Sequence, residues 1–126
     1  MKYYKVTDQE MGSCMITKTE ARVIYKLGEW VESKSILTMH NYHLLVFNSI
    51  ESAIRFIIAG ENKKYRLWEV DVKDEISVMP PRGYVYNYVD YKVIYLSAYP
   101  MPWPEGTKMF KQVKLIKEIA IYPPAR

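Results

Sequence analysis

At 126 residues, with 49% hydrophobic and 25% charged side chains, the chain has the size of one domain and enough apolar material for a core, which excludes wholesale disorder. One cysteine excludes an intrachain disulfide framework, and no apolar run approaches the roughly 20 residues of a membrane-spanning helix. The opening MKYYKVTDQEM has no apolar signal core, so the expectation is a reduced, cytoplasmic protein with no membrane contact; its net charge of +4 permits an anionic partner without requiring one.

Tyr3–Val6 combines aromatic and β-branched residues and predicts an opening strand, followed by turn chemistry in DQEMGSCM. Arg22–Tyr25 is strand-like, and Gly28 marks a turn or bulge before Trp30. The polar stretch from Ser33 to Asn41 reads as a loop, and His43–Ser49 as a short buried strand. A helix is expected from about Ser49 to Ala59. Asn48 stands three residues before Glu51 in capping-box spacing, and Ile50, Ala53, Ile54, Ile57 and Ile58 recur at the spacing of one buried face. Glu51 and Arg55 form a favourable i, i+4 pair, and Gly60 follows as a stop.

Lys64–Val72 alternates, with Trp68, Val70 and Val72 on one face and Glu69 and Asp71 on the other, so a half-buried strand is predicted that ends at Lys73-Asp74-Glu75. A proline-stiffened loop follows around MPPRG. Residues 84–99 hold six of the 12 tyrosines and read as a strand pair turning near Asn87–Asp90, although helical spacing is also admitted. Three prolines in PMPWP impose an extended loop, and GTKMF with QVKLIKEIAIY gives one long or two short strands. Regular β–α alternation is lacking. The expected fold is therefore α+β: a single domain over 1–126, mainly antiparallel sheet with one amphipathic helix packed on it, and a variable tyrosine- and proline-rich insertion at about 76–104.

Catalytic signatures such as GxxxxGK, GxGxxG, GxSxG and HExxH do not occur. His40 and His43 with Cys14 lack a third nearby metal ligand, Cys14 has no base beside it in sequence, and Glu69 with Asp71 fits a solvated strand face. No catalytic residue, metal or cofactor is expected. The candidate binding surface is instead Arg82, Tyr84, Tyr86, Tyr88, Tyr91, Lys92, Tyr95, Tyr99 and Trp103, because tyrosine and tryptophan combine large contact area with a polar tip. The same residues fit cross-strand tyrosine pairs in a sheet, a protein interface, or a pocket stacking a nucleotide base. Lys108, Lys111 and Lys114, with Lys117, recur every third residue and form a candidate basic surface or a lysine-protected strand. Strand edges in so small a domain also admit a homodimer.

Several fragments in order, YYKV (Tyr3–Val6), YKLGEWV (Tyr25–Val31), LLVFNSIESAIRFI (Leu44–Ile57), RLWEVDV (Arg66–Val72) and PEGTKMFKQVKLIKEI (Pro104–Ile119), resemble small uncharacterised domains of bacteriophage and other viral genomes. Residues 76–103 fall outside the resemblance. It implies a viral accessory protein, an anti-defence inhibitor of the anti-CRISPR kind, binding a host protein in the host cytoplasm, or alternatively a sponge for a nucleotide signal. The unit Phe47, Ser49, Glu51, Ala53 also resembles the strand–helix unit of ADP-ribosyltransferase-like folds, which implies NAD chemistry with Glu105 or Glu118 as the late glutamate. YYKV carries no His or Arg where that family places one, so a non-enzymatic binding protein is the leading expectation.

Overall fold

The computed structural model describes residues 1–12, 23–33, 43–59, 64–77, 85–87, 92–94 and 104–122. In chain order these form β1 (Tyr3–Thr7), β2 (Trp30–Glu32), β3 (Leu44–Phe47), α1 (Ile50–Ala59), β4 (Tyr65–Ile76), β5 (Val85–Asn87), β6 (Lys92–Ile94) and β7 (Thr107–Tyr122). Every strand pairing is antiparallel. Together with the one helix among the described residues this is the expected α+β fold.

β7 organises the main sheet. It pairs with β3 through Thr107–Phe110, with β2 through Gln112–Lys114, and with β4 from Met109 to Tyr122. β1 pairs with β4 along its whole length and with β3 at Tyr4 and Phe47. The strands β7, β3, β1 and β4 therefore close a ring, which leaves few free edge groups. Two register shifts in the β4–β7 ladder, after Leu67 and after Glu69, supply bulges that bend these long strands around the closure.

Side-chain alternation divides the core in two. Leu44, Val46, Trp68, Val70, Phe110, Val113 and Leu115 form one cluster, with Val23 and Tyr25 laid against it. Within it the Trp68 indole donates to Thr7 Oγ1 at 3.0 Å. The opposite faces of β1, β3 and β4 present Val6, Phe47 and Leu67 to Ala53, Phe56 and Ile57 of α1.

Four sequence expectations are corrected. The buried helix face is Ser52, Ala53, Phe56 and Ile57; Ile50, Ile54 and Ile58 stand 40%, 43% and 71% exposed, because the apolar arc of this helix is wider than the sheet can cover. The helix cap is Ser49 rather than Asn48: the Ser52 amide donates to Ser49 Oγ at 3.1 Å, since a cap must directly precede the first helical residue. β4 does not stop at Lys73-Asp74-Glu75 but runs to Ile76, because β7 offers it partners that far; Asp74 accommodates a φ of 59°, a conformation aspartate tolerates. Arg22–Tyr25 is no strand over its described part: Ile24 makes one bridge to Gly12, and Val23 and Tyr25 serve as core wedges.

The strand pair expected within 84–99 is present as β5 and β6, with Val85 opposite Ile94, Tyr86 opposite Val93 and Asn87 opposite Lys92. Expectations resting on Cys14, His40 and Gly60 fall outside the described residues.

Candidate functional site

β4 and β7 are joined as a hairpin whose last register pair is Ile76 with Met109. The tyrosine-rich segment leaves and re-enters the sheet at that end. β5 and β6 form a two-stranded sheet of their own, outside the five-stranded one. Of the candidate binding residues, Tyr86 lies on β5 and Lys92 on β6. Arg82, Tyr84, Tyr88, Tyr91, Tyr95, Tyr99 and Trp103 lie outside the described residues.

The lysine series lies on β7, where a spacing of three does not make one stripe. Lys108 and Lys111 are exposed, and Lys114 is half-buried. Lys114 sits opposite Trp30 on β2 and Asp71 on β4; one register step away Gln112 sits opposite Glu32 and Lys73. Between these rows Val31, Val113 and Val72 turn inward, so the six polar and aromatic positions share the outward face. There the Lys73 and Lys114 ammonium groups lie 4.1 and 4.8 Å from the Trp30 ring centre, and Gln112 donates to Glu32 at 2.7 Å. Lysines on a tryptophan face gain about 0.5–1 kcal/mol each at exposed sites. The sequence reading missed this cluster, because a three-residue strand gives too short an alternation to detect.

The turn entering β7 is latched onto the start of α1. Asn48 N–H donates to the Gly106 carbonyl at 2.9 Å, the Ser52 hydroxyl donates to the Glu105 carbonyl, and Thr107 Oγ1 donates to the Pro104 carbonyl at 2.6 Å. Gly106 holds a φ of 92°, and a Cβ there would overlap Asn48 Oδ1. A cavity of about 280 Å³ opens beside this latch, lined by Asn48, Ser49, Glu51, Ser52, Arg55, Glu105 and Gly106. Four of its polar side chains are engaged locally: Ser49 caps the helix, Ser52 holds the turn, and Arg55 donates to Glu51 at 2.6 Å.

The residues matched to the ADP-ribosyltransferase-like unit have structural partners too. Phe47 and Ala53 are core, and Glu118 accepts from Arg66 Nε at 2.6 Å, with the Arg66 guanidinium 4.8 Å from the Trp68 ring centre. His43 stands at the mouth of β3, its amide directed at Met109 Sδ at 3.3 Å. Burial, and then the nearby charge of Lys111, hold its imidazole below the ordinary value of 6.5, so it is neutral near pH 7. Among the described residues no three His, Cys, Asp or Glu side chains are grouped to hold a metal ion, and no helix is long and apolar enough to cross a membrane. Comparison with known proteins gave no match to any family model, curated protein or solved structure.

Proposed function

We propose that the chain is a non-enzymatic binding protein that recognises a protein partner through the tyrosine-rich segment between β4 and β7. One observation carries this reading: the β4–β7 ladder ends at Ile76 and Met109, and the described part of the intervening segment, β5 and β6, pairs apart from the five-stranded sheet. A scaffold complete at the base of a long tyrosine-bearing excursion is a common way to present a recognition element. Exposed Lys108 and Lys111, on the strand that resumes after the excursion, supply positive charge that favours an acidic partner surface. The narrower reading, a viral accessory protein blocking a host defence component, rests on the sequence resemblance.

The test replaces Tyr86, Tyr91 and Tyr95 with alanine together. The expected result is an unchanged thermal unfolding midpoint, with loss of a partner that the wild-type protein captures from cells of its source and rebinds in purified form by calorimetry. Unfolding of the triple variant would make these tyrosines core residues and overturn the proposal, as would unchanged partner affinity. A melting shift with nucleotides and none with protein would replace it by the nucleotide-sponge reading.

A further inference from the structure

We infer that the exposed isoleucine row of α1 is the contact face of a symmetric, antiparallel dimer of this chain. The helix carries two apolar rows. Ala53, Phe56 and Ile57, at most 6% exposed, are spent on the sheet. Ile50, Ile54 and Ile58 follow at i, i+4 and i+8, turned about 110° away around the axis and spanning about 80° of it. Their exposures of 40%, 43% and 71% make a continuous apolar strip along the whole helix. A face of this kind needs an occupant.

The charges beside the strip favour a second copy. Glu51 and Arg55 flank the isoleucines on one side and form a pair at 2.6 Å, both well exposed at 74% and 61%. A two-fold axis relating antiparallel helices and passing beside Ile54 sets Ile54 against its own copy and Ile50 against the second copy's Ile58. It also keeps both charged flanks on the same side. Glu51 and the other chain's Arg55 then lie about 3 Å apart along the helix axis, within reach of both side chains. The two in-chain pairs become one ring of four alternating charges. In a parallel pairing the flanks fall on opposite sides and no such ring forms, so the charges select the antiparallel arrangement. One short helix per subunit places the contact in the weak, concentration-dependent class.

This inference uses no residue of the tyrosine-rich segment and stands or falls apart from the proposed function. The test is light scattering after gel filtration over a wide concentration range. The wild-type protein is expected to move from monomer to dimer as concentration rises, and Ile54→Asp to stay monomeric with unchanged thermal stability. Glu51→Arg should weaken dimerisation about tenfold by gathering like charges, and adding Arg55→Glu should restore it. With Cys14→Ser as background, Ile54→Cys should oxidise to a disulfide-linked dimer much faster than Ile50→Cys, because only residue 54 meets its own copy. A wild-type monomer at every concentration would overturn the inference. So would a dimer that survives Ile54→Asp, a loss of fold in Ile54→Asp, or equal cross-linking at 50 and 54.

Discussion

Replacing Gly106 with alanine tests how the last strand is fastened to the helix. Gly106 occupies a φ of 92°, where an alanine is strained by about 1–2 kcal/mol. The added Cβ would overlap Asn48 Oδ1 and lie 2.9 Å from both Asn48 Cγ and Ser52 Oγ. Asn48 can turn its amide aside, but Ser52 cannot withdraw without releasing the Glu105 carbonyl, a loss of about 1 kcal/mol. The expected destabilisation is about 3 kcal/mol, or a fall of roughly 10 °C in unfolding midpoint for a domain of this size. Urea unfolding followed by tryptophan fluorescence measures it. Adding Asn48→Ala should recover only the part due to the amide, leaving the backbone strain in place. A Gly106→Ala protein within about 0.5 kcal/mol of wild type would refute the reasoning, since strain and overlap must both be absent for that result.

The helix cap and the histidine at the mouth of β3 give two further expected outcomes. Ser49→Ala should cost about 1 kcal/mol by removing the helix cap, and Asn48→Ala distinctly less, a contrast read by chemical denaturation. His43 has a lowered folded-state pKa, so the unfolded chain takes up its proton first as pH falls: stability is complete above about pH 6.5 and declines below it. His43→Gln should flatten that part of a pH series of unfolding midpoints; an unchanged slope would show that the histidine does not contribute.

Much of the scaffold was legible in the sequence. Alternation in β4 placed Trp68, Val70 and Val72 inward, and the turn residues around Asn87 marked the β5–β6 pair. What pattern reading could not supply was the number of faces each element has to cover. The isoleucine row of α1 satisfies helical periodicity as well as Ala53, Phe56 and Ile57 do, and only the width of the underlying sheet decides which row is buried. Likewise the end of β4 depends on a partner more than thirty residues away in sequence, so local chemistry at Lys73-Asp74-Glu75 misplaced it. Trp30 gained its significance from Lys73 and Lys114, on two other strands. The tyrosine concentration was plain in composition, but local pattern could not show that the described part of that segment, β5 and β6, pairs apart from the main sheet.

The position of β7 has a kinetic consequence. β2, β3 and β4 all take hydrogen-bond partners from this strand, the last of the described ones in chain order, and the ring of strands cannot close until it arrives. Pairings at such long separation form slowly, because loop closure precedes the contacts that reward it. During synthesis β1, β3 and α1 would therefore emerge well before the strand that completes their sheet, with Phe47 and Phe56 awaiting cover. Lengthening the tyrosine-rich excursion adds little to that wait, since closure entropy grows only with the logarithm of loop length. A scaffold completed by β7 can thus exchange the segment before that strand at small thermodynamic cost, which leaves the residues between β4 and β7 free to diverge while the barrel-like ring stays the same.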